Sequence, residues 1–262
     1  MDKTRTERLA PKEKKMQELK EKYRVIYQPR GAAREYSELA LNLYSGCPNG
    51  CLYCYVPACL KKQKEDFHAN MASRKAIINL IQRDLIEMKE AKDGRTVLLC
   101  FTCDPYPGEC EDNRTTQEAL ELFKAYNQPF QLLTKGGMKA ARDFHLYKKS
   151  DAYAATLTLL DGPESTQWEP NAAPPLDRIA SLKKAKEKGI RTWVSFEPVI
   201  NPKAVYEMYE MTKDFVDKYK IGKLNHYKND TDWKEFGDMM VSKCERDGKD
   251  YLIKDALKKY ID

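Results

Sequence analysis

Three closely spaced cysteines, Cys47, Cys51 and Cys54, are the residues of this chain best suited to carry chemistry. They lie in the segment Cys47-Pro-Asn-Gly-Cys51-Leu-Tyr-Cys54, directly after a stretch of alternating apolar and polar residues, Leu39 to Tyr44. Three thiolates on one short loop suit a cubane iron–sulfur cluster, because three irons take protein thiolates and the fourth stays open for a small ligand. The spacing therefore predicts a [4Fe-4S] cluster with one iron available to a cosubstrate.

A structural zinc ion is the alternative interpretation of the same loop. Such sites use four protein ligands, so the fourth would have to come from Cys59 or from a more distant cysteine or histidine. The sequence favours the cluster over zinc and leaves open a zinc-stabilised module that binds nucleic acid without catalysis.

The cysteine spacing, with Tyr53 directly before the third cysteine, resembles the signature of the radical S-adenosylmethionine (SAM) enzymes. The resemblance implies that the open iron binds the amine and carboxylate of SAM, and that one-electron reduction releases a 5′-deoxyadenosyl radical. It also implies an electron donor such as flavodoxin or ferredoxin. The protein's own task is then to bind, orient and shield, because the cofactor carries the difficult chemistry.

Length and composition limit the class of protein. The chain has 262 residues, which suits one α/β barrel. Its N-terminal sequence lacks an apolar signal segment, and no run approaches the roughly 18 apolar residues of a membrane span. We therefore expect a cytoplasmic protein with no membrane contact, in which the eight cysteines are thiols or metal ligands.

The charge is mildly basic and uneven. The formal net charge is +6, and residues 1–24 hold nine Lys or Arg against five Asp or Glu. We predict a basic leader over residues 1–36, which could attract phosphates or serve only as an amphipathic leader.

Short apolar runs alternate with longer helical patterns after the leader, which is typical of a parallel sheet. Helices are clearest at Arg74–Lys89, where apolar residues recur at helical spacing, and at Leu176–Lys188, which precedes Gly189. The pattern predicts a partial (β/α)6 barrel over residues 37–228, followed by a helical extension over 229–262 that contains two polar helices. The predicted strands are Leu39–Tyr44, Thr96–Cys103, Phe130–Lys135, Ala152–Leu159, Thr192–Pro198 and Tyr219–Leu224.

Polar residues follow several of these strands. Parallel barrels place the active site at the carboxyl ends of their strands, so Asp104, Lys135, Thr158 and Glu197 become candidates for binding a cofactor. We expect them to lie around the cysteine loop.

Four segments together resemble the spore photoproduct lyase and DNA-repair-photolyase-like branch of the radical SAM enzymes. They are Tyr53-Cys54-Tyr55, Thr102-Cys103-Asp104-Pro105-Tyr106, Leu133-Thr134-Lys135 followed by Arg142-Asp143, and Glu169-Pro170 with Pro175-Leu176-Asp177-Arg178-Ile179. The resemblance implies that Lys135 and a hydroxyl, Thr156 or Thr158, lie near SAM, with Thr102, Cys103 and Asp104 beside its amino or ribose end. Tyr55 would flank the cluster. Arg142 and Arg178 are expected to form ion pairs with Asp143, Asp177 or Glu169.

The hydrogen-atom donor of the chain is an open question at this stage. Spore photoproduct lyase carries a donor cysteine on its second strand, and the resemblance places Phe101 at that position. Because strand side chains alternate between faces, we expect Cys103 to share the face of Phe101 and Cys100 to lie on the other face. Cys103 and Cys110 are therefore the candidate catalytic thiols.

The resemblance implies a radical enzyme that acts on DNA, RNA or a nucleotide base, which a duplex would present by base flipping. Lys61, Lys62 and Lys64 offer phosphate contacts, and sixteen tyrosines offer stacking surfaces. A radical enzyme with a peptide or small-metabolite substrate is the alternative.

Overall fold

Within the part of the chain that the structure describes, the core is one sheet of seven parallel strands. The computed structural model describes residues 23–107, 114–225, 227 and 230–261. The sheet has the order β1-β4-β5-β6-β7-β8-β9, and β2 and β3 form a separate antiparallel pair. The strands are β1 Leu39–Leu41, β2 Tyr44–Ser45, β3 Ala72–Ser73, β4 Val97–Leu99, β5 Phe130–Thr134, β6 Ala152–Thr156, β7 Arg191–Val199, β8 Lys218–Lys223 and β9 Asp250–Ile253.

Helices connect successive strands of the sheet. Helix α3 (Ile77–Glu90) packs one face against the sheet. Its buried apolar residues, at helical spacing, are Ile77, Ile81, Leu85 and Met88. Helix α6 (Pro175–Glu187) ends close to the predicted position, and Gly189, two residues after its last residue, has a positive φ of 75°. The helices are α1 Val56–Leu60, α2 Lys64–Ala69, α3 Ile77–Glu90, α4 Arg114–Ala125, α5 Gly162–Trp168, α6 Pro175–Glu187, α7 Pro202–Thr212, α8 Trp233–Arg246 and α9 Asp255–Lys258, with 3-10 helices at Gly31–Glu35 and Gly137–Leu146.

The sheet is buried on both faces, as expected of parallel strands. Phe130, Leu132 and Val194 belong to the large core between the sheet and the helices. Leu98, Ala154 and Trp193 pack with Tyr36 in a smaller cluster on the inner face. The sheet therefore curls into an open half-barrel whose interior is lined by alternate residues of each strand.

The predicted α/β partial barrel is confirmed, with one strand more than expected. Strand β9 pairs in parallel with β8, with Tyr251 opposite Tyr219. The tail contains two helices as predicted, α8 and α9, but strand β9 between them was missed, because a strand of four residues is too short to leave a clear sequence pattern. The domain boundaries at residues 36 and 228 stay a prediction.

The described part of the predicted leader packs against the core. The Asp84 carboxylate accepts hydrogen bonds from the backbone nitrogens of Arg24, Val25 and Ile26 at 2.8 to 3.1 Å. Tyr27 and Ala40 exchange backbone hydrogen bonds, so the chain covers the edge of β1. Residues 1–22, which hold most of the predicted basic charge, lie outside the described residues.

Among the described residues, no helix is long and apolar enough to cross a membrane.

Candidate active site

The cysteine loop is fixed on one side by α2. Gly46 has a φ of +84°, and a Cβ atom at this position would lie 2.0 Å from the Asn70 carbonyl oxygen. Only glycine allows this approach. The Cys47 nitrogen donates to the Phe67 carbonyl oxygen at 3.3 Å, so the loop begins in a defined position.

The other side of the loop is held by the segment that follows α5. The Leu52 nitrogen donates to the Trp168 carbonyl oxygen at 2.9 Å. The side-chain amide of Asn171 donates to the Pro48 carbonyl oxygen at 2.7 Å. Residues about 120 positions apart in the chain thus shape the loop that carries the three thiols.

The three thiols differ in exposure. Cys51 is buried, whereas Cys47 and Cys54 are half-buried. Burial raises the pKa of Cys51 to about 11, although the nearby Lys135 ammonium opposes the rise. No three Cys, His, Asp or Glu side chains in the described ranges are grouped to hold a single metal ion. A cubane cluster binds each thiolate to a different iron, so its ligands need not converge on one point.

Asp104 connects the cysteine loop to two strand ends. Its Oδ1 accepts hydrogen bonds from the Tyr106 nitrogen at 2.8 Å and from the Thr134 hydroxyl at 2.5 Å. Its Oδ2 accepts from the Asn49 amide at 3.1 Å and from the Lys135 nitrogen at 2.7 Å. Four donors satisfy a buried carboxylate, so Asp104 holds the site together. Direct contact between Asp104 and a cosubstrate stays a prediction.

Lys135 extends from the end of β5 toward the cysteine loop. Its Nζ lies 5.6 Å from the centroid of the Tyr53 ring, and it donates no hydrogen bond to a described residue. Burial alone would lower the pKa of this lysine, but the Glu169 carboxylate and the ionised form of Cys51 outweigh burial and raise the pKa. Lys135 is therefore a charged donor with unused hydrogen-bonding capacity beside the predicted cluster ligands.

A buried ion pair lies beneath the loop. Arg178 Nη1 and Glu169 Oε2 are 2.6 Å apart, and both side chains are fully buried. The Tyr53 hydroxyl donates to the other oxygen of Glu169. The predicted pairing of Arg178 with Glu169 is confirmed, as is that of Arg142 with Asp143 at 3.3 Å.

The end of β6 adds two buried polar atoms without partners. Arg178 Nη1 donates to the Thr156 carbonyl oxygen at 3.1 Å, but Arg178 Nη2 finds no acceptor in the described part of the chain. The hydroxyl of Thr158 is likewise buried and unpartnered there. Buried polar atoms without partners are rare in folded proteins. Together with Lys135 Nζ, they fit a polar cosubstrate that carries a carboxylate.

Glu197 lies on the inner face of β7. Its Oε2 accepts hydrogen bonds from the Tyr36 hydroxyl at 2.5 Å and from Lys254 Nζ at 2.8 Å. The neighbouring strand approaches closely at Gly222, where a Cβ atom would lie 2.7 Å from Glu197 Oε1. Glu197 thus joins the leader, β7 and the C-terminal segment, and cosubstrate binding by Glu197 stays a prediction.

Two further candidates lie around the loop. The backbone nitrogen of Thr102 donates to the Asn42 side-chain oxygen at 2.8 Å, which fixes the chain after β4. Tyr55 is 51% exposed and stands at the rim of the barrel mouth, where Leu52 and Tyr227 are also exposed. The Tyr227 hydroxyl donates to the Leu52 carbonyl oxygen at 2.8 Å.

The predicted orientation of Cys103 is wrong. Cys103 and Cys100 both belong to the large core cluster. Phe101 instead packs against the inner cluster. Strand β4 ends at Leu99, so the alternation expected of a strand does not continue to Cys103. The other candidate thiol, Cys110, lies outside the described residues.

The sequence indicated the cysteines and the residues at the strand ends, but it did not indicate the residues that hydrogen-bond to them and hold them in position. Asn49 and Thr134 bind Asp104, and nothing in their local sequence marks them for that role. Tyr36 and Lys254 bind Glu197 across 161 and 57 positions of the chain. Such partners are set by barrel curvature, which leaves no local pattern.

Comparisons with known proteins agree with this geometry. A family model described as the radical SAM superfamily matches residues 41–216, about two thirds of the chain, which include the cysteine loop and the strand ends. An uncharacterized protein, ORF301, of Acidianus two-tailed virus is 26% identical over 187 residues, which make up 68% of this chain. The chain spans only 61% of that viral protein.

Two solved enzymes share the fold at 12% identity. A spore photoproduct lyase variant with bound SAM and a dinucleoside spore photoproduct has a TM-score of 0.67, and the match covers 86% of this chain and 78% of the lyase. SuiB of Streptococcus suis bound to SAM has a TM-score of 0.64, with 84% of this chain and 52% of SuiB covered. At this identity the likeness establishes the fold alone.

Proposed function

Because the chain belongs to the radical SAM superfamily of enzymes, we propose that it cleaves SAM and abstracts hydrogen from a nucleic acid or nucleotide base. Cys47, Cys51 and Cys54 would hold a [4Fe-4S] cluster. When bound, the cluster supplies the electron that splits SAM into methionine and a 5′-deoxyadenosyl radical. The chain's own residues bind SAM, orient it and exclude water.

The observation that carries this proposal is the set of unpartnered donors beside the cysteine loop. Lys135 Nζ, Arg178 Nη2 and the Thr158 hydroxyl each lack an acceptor among described residues. We assign Lys135 to the carboxylate of SAM, because its ammonium is a charged donor without an ion-pair partner among the described residues, whereas Arg178 already pairs with Glu169. Thr158 or Thr156 then serves the ribose or adenine end.

Asp104, Thr102, Glu197 and Tyr55 have supporting roles in this proposal. Asp104 is a positioning residue, because its four hydrogen bonds fix the loop and the end of β5 relative to each other. Thr102 and Glu197 would line the SAM site from the ends of β4 and β7, and Tyr55 would flank the cluster at the barrel mouth.

The rim of the barrel mouth supports a base as substrate. Tyr55 and Tyr227 are exposed aromatic rings, and the Tyr227 ring packs edge-on against Trp168 at 5.5 Å. Lys61 and Lys62, which follow Tyr55 by six and seven residues, are also exposed. Aromatic rings that stack on bases, next to cations that bind phosphates, are the usual combination at sites for single-stranded nucleic acid.

A peptide is the second candidate substrate. SuiB, which shares the fold, has been solved with its precursor peptide SuiA bound, at a TM-score of 0.63 and 12% identity. An exposed apolar rim that includes Leu52 and Leu60 would also suit peptide side chains.

Reduction requires an electron donor, and we propose a flavodoxin or ferredoxin. Lys64 donates to the Leu52 carbonyl oxygen at 2.8 Å, which places positive charge directly beside the cysteine loop. Such a surface would attract an acidic donor protein. The predicted cytoplasmic location is part of the same proposal.

Cys103 and Cys110 are the proposed hydrogen-atom donors to a substrate radical. Asp104, the residue directly after Cys103, accepts a hydrogen bond from the Asn49 amide of the cysteine loop at 3.1 Å, so Cys103 lies next to a residue that contacts the loop. A thiol suits this role because its S–H bond is weaker than most C–H bonds. Cys103→Ser should keep SAM cleavage and shift the product distribution, whereas the neighbouring Cys100→Ser should leave products unchanged. Equal products from both variants and wild type would remove Cys103 from the role.

The central experiment is anaerobic reconstitution followed by measurement of 5′-deoxyadenosine. We expect a brown protein with four irons per chain, and Cys51→Ala should lose both the cluster and SAM cleavage. The matched control is Cys59→Ala, an exposed cysteine in the next helix, which should keep both. A colourless protein that binds zinc through Cys59 would contradict the proposal.

The substrate is tested by adding oligonucleotides, mononucleotides or peptides in separate reactions. A base substrate predicts that deuterium moves from the oligonucleotide or nucleotide into 5′-deoxyadenosine. Tyr55→Ala should reduce this transfer, and Tyr260→Ala, which removes an exposed tyrosine near the C-terminal end, should not. Transfer from peptides alone would favour the second candidate.

A further inference from the structure

A cavity lies at the amino-terminal edge of the sheet, opposite the cysteine loop. Its volume is about 400 Å³, within the range of roughly 300 to 1,000 Å³ typical of small-molecule sites. The first residues of three neighbouring strands line it, namely Arg191 of β7, Lys218 of β8 and Asp250 of β9. All strands of the sheet start at this edge, so the cavity is separate from the strand ends that form the candidate active site.

Lys220 is a buried cation on the wall of this cavity. It is 5% exposed, and its Nζ donates to the Tyr36 carbonyl oxygen at 2.8 Å. The same nitrogen lies 4.2 Å from the centroid of the Trp193 ring. No carboxylate in the described part of the chain forms an ion pair with it. A lysine ammonium has three N–H donors, so Lys220 retains hydrogen-bonding capacity without a counter-ion.

Trp193 provides a second unused donor on the same wall. The residue is 4% exposed, and its indole Nε1 has no hydrogen-bond acceptor among the described residues. A buried indole N–H normally has a partner. Trp193 lacks a hydrogen-bond acceptor and Lys220 lacks a counter-ion, and these two side chains are in contact with each other.

The carboxylates of the cavity wall are already engaged elsewhere. Asp250 pairs with Lys218 at 2.8 Å, and Asp217 pairs with Lys186 at 2.5 Å. Glu35 accepts a hydrogen bond from the Asp255 nitrogen at 2.9 Å. The remaining cations of the wall are Lys220 and the exposed Arg191, for which no acid partner is found among described residues.

We propose that this cavity binds a small organic anion, whose oxyanion group is held by Lys220 Nζ and the Trp193 indole N–H. Arg191 supplies a third donor from the solvent-exposed side. The apolar part of the ligand packs against Ala152 and Leu252, which also line the cavity. Carboxylates and phosphates share this oxyanion chemistry, and the two are distinguished by experiment.

The test is calorimetric titration of the cluster-reconstituted protein, separately with inorganic phosphate and with acetate. We expect saturable binding of at least one anion, and the tighter of the two identifies the head group. Lys220→Met should weaken binding tenfold or more, because a charge-assisted hydrogen bond is lost. Trp193→Phe keeps an aromatic ring and removes only the N–H donor, so it should weaken binding by a smaller factor.

The matched control is Lys234→Met, which removes an exposed lysine of α8 that pairs with Asp238 and does not line the cavity. Binding in this variant should equal that of wild type. The proposal is overturned if neither anion shows saturable binding to wild type. It is also overturned if Lys220→Met and Trp193→Phe both bind like wild type, or if Lys234→Met loses binding as Lys220→Met does. Circular dichroism of each variant establishes that it is folded.

Discussion

The two ends of the barrel each hold a lysine packed against an aromatic ring, yet the two lysines titrate in opposite directions. Lys135, at the carboxyl end, lies over Tyr53, and its pKa is raised because Cys51 and Glu169 outweigh burial. Lys220, at the amino end, lies over Trp193. Burial, followed by repulsion from Lys218 and Lys254, lowers its pKa to about 7.

The difference shows that neighbouring charges, rather than burial alone, decide what a buried lysine does. At the carboxyl end, the Glu169 carboxylate favours the charged form of Lys135 before any ligand arrives, so that end is prepared for an anion at neutral pH. At the amino end, the charge on Lys220 is unfavourable until a ligand supplies the missing negative charge.

The largest expected effect is on stability at the carboxyl end. Arg178→Met would leave the buried Glu169 carboxylate without its cation, and breaking such a pair costs roughly 3 to 5 kcal/mol in the free energy of unfolding. Chemical denaturation measures the loss. The control is Lys184→Met, which breaks the exposed pair with Glu187 and should cost at most about 1 kcal/mol. Equal losses in the two variants would show that the Arg178–Glu169 pair stabilises the protein no more than an exposed ion pair does.

The Lys220→Met substitution should change the free energy of unfolding in the opposite direction. Replacing a buried charge that lacks a counter-ion with an apolar side chain of similar length should stabilise the protein by about 1 to 4 kcal/mol near pH 7. The measurement is denaturation in buffers that contain neither phosphate nor carboxylates. A variant less stable than wild type would mean that Lys220 is held by favourable contacts, which would remove the contrast between the two ends.

The same variant has a defined pH dependence. The pKa of Lys220 falls from 10.5 in the unfolded chain to about 7 in the folded protein. The unfolded state therefore binds more protons between pH 7 and 10.5, and wild-type stability rises with pH across this window, by at most about 5 kcal/mol. Of the groups facing Lys220, Tyr36 stays protonated because burial raises its pKa well above the usual value, while Lys218, Lys254 and Asp250 complete the set. The advantage of Lys220→Met should shrink as the pH approaches 10, and a constant difference would contradict the assignment.

At the carboxyl end, Lys135→Met should affect binding more than folding. Loss of a charge-assisted hydrogen bond to the carboxylate of SAM costs roughly 1.5 to 3 kcal/mol, or tenfold or more in affinity. Equilibrium binding of SAM to the reconstituted protein measures the effect, and the iron content should stay unchanged. Lys220→Met serves as the control with normal SAM affinity. An unchanged dissociation constant would assign Lys135 a purely structural role.

The residues that carry the chemistry of this molecule can be predicted from its sequence, whereas most of the residues that hold them in position cannot. Three thiols within eight residues and polar residues after apolar strands are local patterns, so the cluster loop and Lys135 could be placed at one end of a barrel. The face of Cys103 was assigned wrongly because strand β4 is only three residues long. In the sequence, nothing distinguishes Lys220 from an ordinary strand residue. In the structure, its burial depends on Tyr36, which lies 184 positions away in the chain. Contacts of that separation follow from barrel closure and leave no periodic signal.

Tyr36 connects the two ends, and its variant has the smallest expected effect. Its carbonyl oxygen accepts from Lys220 on the side of the cavity, and its hydroxyl donates to Glu197 at 2.5 Å on the side of the cysteine loop. Tyr36→Phe keeps the ring and the backbone contact, so the anion cavity should bind as in wild type. The hydroxyl contacts with Glu197 and with the Ser195 hydroxyl at 2.8 Å are lost, and Lys254 still neutralises Glu197. We expect a loss of about 1 kcal/mol in the free energy of unfolding and no more than a small change in SAM affinity. A large loss of both SAM and anion binding in this one variant would show that the two ends form a single coupled unit, which would replace the contrast drawn here.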